Sequence, residues 1–410
     1  MKRHLQLMPF FLAMTIVGAI MQVLTIQVWA ASSEKVLYRF TVNSAGGSWP
    51  NGELILDAAG NLYGTTIFGG DNLGGVAFKL TRGSGGIYQT VLHAFPDEDH
   101  DGFYPNGGLI LDAAGNLYGV TQYNYDGSGD APPGTVFLLS PRTDGSWAER
   151  VLYNFSDSPD AIPVWSLTPD AGGNLYGVTI RGDEAPDIVF KLTRVAANTG
   201  GIWKASVIYD FPDIAVPDDD NFCGVGHLAL DSHGNLFGTT QDSVFELSPN
   251  ASGGWTETSI FIEQAQGGVI FDAKGNLYGT AWPVGDNFGS VFEVSPLPGG
   301  GWMTSTLYAF KGGADGADPI GSLVFDAEGN IYGATQAGGT LTYGTIFKLS
   351  PNSDGSWTES VVYSFRGGSD GAVPTGSLVL DRLGNLYGTT VYGGGGGCTY
   401  GCGTVFKLTP

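Results

Sequence analysis

Seven times along the chain the phrase Asp-x-x-Gly-Asn-Leu-Tyr-Gly returns with little change. Its asparagines are Asn61, Asn116, Asn174, Asn235, Asn276, Asn330 and Asn385, at gaps of 55, 58, 61, 41, 54 and 55 residues. Each unit holds four short apolar runs. In the second they are Gly108 to Asp112, Asn116 to Thr121, Thr135 to Leu139 and Arg150 to Phe155. All four are rich in β-branched and aromatic residues and end at Gly, Pro, Asp or Ser, which is the pattern of strands. A period near fifty with four strands per unit is that of a β-propeller blade. The expected fold is all-β: a seven-bladed propeller with four strands per blade, A to D from the axis outward.

The turn between strands A and B carries the Asp and Gly of the phrase, from Asp57 to Asp381, and reads as a tight hairpin. The Gly that follows the strand B aromatic, Gly64 in the first unit, suggests close approach of a neighbouring blade. Tyr88, Trp147, Trp203, Trp255, Trp302 and Trp357 open the D strands and are expected to pack within their hairpins. The two ends of the chain are out of phase. Val36-Leu37-Tyr38-Arg39-Phe40 is a D strand with nothing before it, and the last unit has A, B and C with no D. The N-terminal strand is therefore expected to complete the last blade and hide the edges of an open array. On this reading residues 34–410 form one domain.

Residues 1–30 stand apart. Lys2, Arg3 and His4 precede an uncharged apolar stretch that ends in Val28-Trp29-Ala30, which reads as a signal peptide or a retained N-terminal anchor. Secretion or display at the cell surface is the expectation, without membrane insertion once the signal is removed. Cleavage would take the net charge from −22 to −24 by removing two positive charges. Such acidity argues against nucleic acid as a partner, because the phosphate backbone is bound by lysine and arginine. Nothing in the chain calls for an oligomer, and a monomer is expected. Cys398 and Cys402 share one Gly-rich loop and are expected to form a disulfide in an oxidising compartment.

The run Gly384 to Thr390, then Gly393-Gly394, Cys398, Cys402 and Gly403 to Leu408, resembles the GloVer-type tandem-repeat family of exported bacterial proteins. The Asp-Gly link at Asp101, Asp315 and Asp370 fits the same pattern. The resemblance covers essentially the whole chain after the signal. It implies the repeat architecture and export, and little about a ligand.

Chemistry is expected where the units differ. The B–C and D–A links share one face and vary widely, and varied loops on a repeated frame usually carry binding. Tyr104, Tyr123, Tyr125, Trp282, Tyr343 and Tyr392 lie in these links and are ligand-binding candidates, suited to stacking on sugar rings of an extracellular glycan or to contact with a protein. Around the central channel, the residue before the first strand A aliphatic reads Glu53, Gly108, Ser166, His227, Gly268, Ser322 and Ser377. Glu53 and His227 are the ionisable pair and the catalytic candidates for a carbohydrate hydrolase or lyase. Asp97, Asp99 and Asp101 precede Gly102 as the first half of a calcium loop would, but Pro105 and Gly108 stand where later ligands belong. Calcium is the one candidate cofactor. The leading expectation is a binding or surface-interaction module; the alternatives are the hydrolase or lyase and a purely structural surface protein.

Overall fold

The structure, a computed structural model, describes residues 33–42, 45–71, 73–96, 102–123, 133–155, 162–180, 187–195, 202–211, 227–240 and 243–410. Residues 1–30, Tyr125, Asp97, Asp99 and Asp101 lie outside them. The unit Ser32–Pro410 holds seven antiparallel sheets arranged as blades. The first is Ile55–Leu56, Leu62–Thr66, Val76–Gly83 and Gly86–Ala94. The described residues contain no α-helix, and a single 3-10 turn spans Gly313–Asp315.

The ring closes as the out-of-phase ends require. Ser33–Arg39 pairs with Thr404–Thr409 as the outer strand of the seventh blade, with Glu34 opposite Leu408 and Arg39 opposite Thr404. The fourth blade, despite its short B–C link, is a complete four-stranded sheet.

The core is divided among seven seams, and each apolar cluster draws on two neighbouring blades. Between the first and second, Tyr63, Ala77 and Phe95 meet Leu109, Leu117 and Phe137. At six seams the Phe that ends one D strand meets the strand C Phe of the next blade. Phe95 on Phe137 and Phe310 on Phe347 have ring centroids 4.9 and 5.1 Å apart. At the seam between blades four and five, Glu263 replaces the first Phe. There Phe237 packs on Phe271 and Trp302 instead, at 5.2 and 5.6 Å.

The repeated phrase explains itself as a hydrogen-bonded hub. Asp57 Oδ1 accepts the backbone N–H of Ala59 and Asn61; Oδ2 accepts Asn61 Nδ2 at 2.7 Å and the Tyr63 hydroxyl at 3.0 Å. Burial pushes the Asp57 carboxyl up, but these bonds outweigh it and hold the group below the usual aspartate value. The Tyr63 hydroxyl is pushed up to about 12 by burial and by Asp57. Lys79 of strand C lies over the Tyr63 ring, 5.3 Å from its centroid. The Asp, Asn and Tyr of the phrase are thus occupied in holding the turn, and the Leu and Tyr also pack into the seams.

Two packing expectations are corrected. The space beside Gly64 is filled from within the same blade: a Cβ there would lie 2.8 Å from Phe78 Cζ and 2.9 Å from Leu54 Cδ2. Gly64 and Phe78 are direct partners in the strand B–C ladder, so the ring covers the bare backbone opposite it. The D-strand tryptophans pack across seams as well as on their own sheets. Trp255 of blade four meets Tyr176 of blade three, and Trp357 of blade six meets Tyr278 of blade five, both at 6.4 Å. An outer strand reaches past its own hairpin because the neighbouring blade offers a ring to cover.

Candidate ligand site at the channel mouth

Strand A is interrupted by a bulge. Its pairing with strand B shifts between Val164 and Thr168, between Gln266 and Ile270, and between Ile320 and Val324. In the seventh blade it divides into Ala372–Pro374 and Val379–Leu380. A bulge turns successive side chains away from strict alternation. Here the aliphatic residue goes into a seam, as buried Leu54, Leu167 and Leu378 show. The residue before it faces the axis, and all seven, from Glu53 to Ser377, line one recess of about 350 Å³ including its open mouth.

The next residue back is glycine in six of the seven units, because the blades come closest here. A Cβ on Gly52 would lie 2.5 Å from the carbonyl oxygen of Gly107, and one on Gly107 would collide with the carbonyl of Trp165. Blade three breaks the rule with Trp165, held at φ 63°. An indole in the left-handed region is uncommon and strained, and strain of this kind gathers at functional sites. Trp165 is half-buried, lines the recess and packs on the seam between blades three and four.

Glu53 is gripped from both sides. Ser377 of blade seven donates to Oε1, and Ser166 of blade three donates to Oε2 at 3.3 Å. Asn51 Nδ2 donates to Asn106 Oδ1 at 2.7 Å, joining blades one and two at the rim. Ser322 donates its backbone N–H to Ser377 Oγ at 2.9 Å. The Ser322 and Thr375 hydroxyls are buried without a partner. The mouth of the recess thus offers the Glu53 carboxyl, the His227 imidazole, the Asn51–Asn106 rim and one aromatic wall to a polar group from solvent.

Of the candidates read from the sequence, Glu53 and His227 come together in the lining of this recess. Tyr104, Tyr123 and Tyr392 belong to an aromatic arc on the same face. It runs Tyr400, Tyr392, Trp49, Phe68, Tyr104, with successive centroids 5.7, 5.8, 5.2 and 4.9 Å apart. Tyr104 then meets Tyr123 at 6.3 Å. Trp49 and Tyr104 each stand two residues before a rim asparagine, Asn51 and Asn106, so the arc borders the recess over blades seven, one and two. Tyr343 stands apart, its ring against Gly367. Trp282 is half-buried in blade five, and its backbone N–H donates to Gln264. Cys398 and Cys402 are joined by a disulfide whose Cα atoms are 5.2 Å apart. Among the described residues no three His, Cys, Asp or Glu side chains converge as metal ligands.

Trp165 and Ser322 did not stand out as site residues in the sequence. Trp165 had a signal: aligned on the first aliphatic of each strand A, its position reads Gly52, Gly107, Trp165, Gly226, Gly267, Gly321, Gly376. Ser322 had none, since its importance lies in a missing partner.

The sequence profile of the Gloeobacter/Verrucomicrobia repeat matches residues 17–190 and 243–410. No curated protein matches the chain. Among solved structures, the virginiamycin B lyase of Staphylococcus aureus aligns at 14% identity over 92% of this chain and 99% of its own, with TM-score 0.54. A streptogramin B lyase aligns at 16% identity over 92% and 97%, with TM-score 0.55. A protein from Lactobacillus plantarum aligns at 14% identity over 77% and 85%, with TM-score 0.51. Likeness at this level is one of fold.

Proposed function

Because the chain belongs to the Gloeobacter/Verrucomicrobia repeat family, a family described by its repeat, we propose that it uses the propeller as a frame for binding an extracellular ligand at the channel mouth and the adjoining aromatic arc. One observation carries this reading. In a frame that repeats seven times, the side chains that break the repeat, Glu53, Trp165 and His227, gather in one recess. The repeated residues are consumed by turn hubs and seams, so they leave little for recognition. A glycan suits the half-buried aromatics and the neutral amides and hydroxyls around them.

Export is part of the same proposal and rests on the basic, apolar and small-residue pattern of residues 1–30. N-terminal sequencing of the protein recovered outside the producing cell should begin near Ala31. Recovery of an intact Met1 terminus from the cytoplasm would count against it.

The binding reading is tested with the purified mature chain on a panel of neutral and acidic glycans, beside the variant Trp165→Gly. That variant restores the residue six other units carry, so the fold should persist while affinity falls. Unchanged binding in the variant would remove the recess from the reading. A second reading is favoured by one fact: Glu53 and His227 line the same recess, as an acid and a base of a hydrolase or lyase would. Turnover of a chromogenic glycoside, lost in both Glu53→Gln and His227→Ala, would establish it.

A further inference from the structure

In the seventh blade the outer strand does not follow strand C along the chain. In the other six the chain turns from C straight into D, as from Val76–Gly83 into Gly86–Ala94. Ser33–Arg39 instead meets Thr404–Thr409 from the far end of the ring. A hairpin keeps a strand beside its partner at little entropic cost, whereas a strand that closes a whole ring is held by its contacts alone. Its hold therefore depends on what grips residues 40–49, where the chain passes on into blade one.

The grip comes from the B–C link of blade seven. Phe40 donates its backbone N–H to the Gly403 carbonyl at 3.1 Å, and Trp49 donates to the Cys402 carbonyl at 2.9 Å. The link of blade six serves the next seam in the same way: Phe365 donates to Gly344 and Val373 to Tyr343, both at 3.0 Å. The two links differ in length. The threonines that flank them are 10 residues apart in blade six, Thr335 and Thr345, and 14 apart in blade seven, Thr390 and Thr404. The longer link reaches further along the closing segment. Val42 donates to the Gly396 carbonyl at 2.7 Å, and a side chain on Gly396 would collide with the Phe40 carbonyl.

Length brings slackness. All seven glycines between 393 and 403 have positive φ. Such a run loses much backbone freedom on ordering and has few side chains to hold it. The Cys398–Cys402 disulfide is the covalent restraint on this link. Cys402 is fully buried in the apolar cluster that contains Phe40 and Leu54. Cys398 keeps part of its surface in solvent and is the half open to a thiol.

We propose that the disulfide-closed link is a redox latch on ring closure. Oxidised, it fixes the carbonyls of Gly396, Cys402 and Gly403 where the closing segment donates to them. A dithiol opens it by exchange. One thiolate attacks Cys398 Sγ and Cys402 leaves as a thiolate that takes up a proton; the second thiol then displaces Cys398, leaving two cysteine thiols and an oxidised dithiol. With the link slack, Ser33–Arg39 leaves blade seven more readily and bares the edge of Thr404–Thr409. A reducing cytoplasm keeps the ring unlatched and an oxidising exterior closes it. The proposal is independent of the binding reading and draws on export only for where closure takes place.

The test is hydrogen exchange followed by mass spectrometry on the mature chain carrying Cys223→Ser, so that this pair is its only thiol chemistry. The folded protein is measured before and after reduction with dithiothreitol, and beside Cys398→Ser. Because reduction is applied to folded protein, the result does not hang on whether the variant folds. Peptides covering the closing strand and Trp49 are compared with peptides covering Trp357–Ser364, Phe365 and Val373, where the matching bonds have no disulfide behind them. The expected result is exchange at least tenfold faster in the closing strand and at Trp49 after reduction, reversed by reoxidation, with the blade six peptides unchanged. Exchange of the closing strand within twofold in both redox states would overturn the latch, even if Trp49 alone responded. Equal acceleration in the blade six peptides would also overturn it, as a loss of stability throughout the ring.

Discussion

Glu359 of the sixth blade and Asp315, in the link that leaves the fifth, face each other carboxyl to carboxyl across their seam. Asp315 already accepts the Tyr308 hydroxyl and the Lys311 backbone N–H, both at 2.7 Å, while Glu359 Oε1 is buried without a donor. Burial first, then the charge of Asp315 and the bond between the two carboxyls, pushes Glu359 up to about 7; the Lys311 ammonium pulls partly the other way. The next seam repeats the arrangement. Glu34 is raised by burial and by Asp370, with Arg366 and Arg39 opposing. At the seam between blades seven and one, Gln89 stands in the corresponding place. It accepts the Tyr38 hydroxyl and donates to the Gly46 carbonyl, both at 2.6 Å, so this seam carries a neutral amide where the other two carry a carboxyl.

A pH dependence follows for Glu359. The folded state holds a proton that the unfolded chain releases near the ordinary value of 4.5. The contribution is fully present below that value and is lost as pH rises through about 7. Glu359→Gln should remove this slope. The wild-type stability relative to Glu359→Gln should fall between pH 4.5 and 8 by on the order of 1 kcal/mol, after allowance for solvent screening of a half-exposed pair. Thermal midpoints in steps of half a pH unit test this, and parallel curves for the two proteins would contradict it.

The closing strand should contribute strongly to stability. Phe40 is fully buried, with its ring 5.0 Å from Tyr38 and 5.3 Å from Phe78. Phe40→Ala should cost about 3–5 kcal/mol, as for other buried aromatics. Deletion of residues 33–40 should cost more, because it also bares the edge of Thr404–Thr409. Chemical denaturation measures both; a deletion variant of wild-type stability would mean that the ring does not depend on this strand.

The turn hubs predict a graded series. Tyr63→Phe removes one of the bonds to Asp57 and should cost about 1 kcal/mol, a loss the fourth blade already lives with at Phe237. Asp57→Ala strands the donors of Asn61, Ala59 and Tyr63 together and should cost about 2–3 kcal/mol. Asp57, Asp112, Asp170, Asp272 and Asp381 are all held below the usual value. Their contribution is present above the ordinary aspartate value of 3.8 and is lost as pH falls through the lowered one, so the acid limb of unfolding should be steep. Asp57→Ala should make that limb shallower in a titration followed by circular dichroism.

Two glycines of the first repeat separate crowding from backbone strain. Gly64→Ala drives a methyl into Phe78 and Leu54 and should cost about 1–3 kcal/mol. Gly60→Ala meets open space but sits at φ 83°, so only the left-handed penalty of about 1 kcal/mol applies. Equal costs at the two sites would undo that distinction.

How much could be read beforehand differs between frame and site. Blade count, strand order and ring closure were legible because each depends on spacing along the chain: seven phrases, and two ends one strand out of phase. Glu53 and His227 were found by the same counting, since a repeat turns position in the chain into position around the axis. Trp165 is less conspicuous because it stands one residue before the varied position, where six units carry glycine. Ser322 could not be read at all. A missing partner exists only once side chains from neighbouring blades meet. The roles of Gly64 and of the tryptophans were misread for a related reason: a repeat shows that residues recur, and not which neighbour they recur against.

The pairing of Ser33–Arg39 with Thr404–Thr409 also sets an order of events. The first strand of the ring has its partner in the strand made after all the other blade strands. Until those arrive, six blades can form only an arc with two raw ends, and the first strand has nowhere to go. Completion is then a single meeting of the first strand of the ring with the last of its blades, and any interruption of synthesis before that strand leaves a molecule that exposes both of the edges the finished ring conceals.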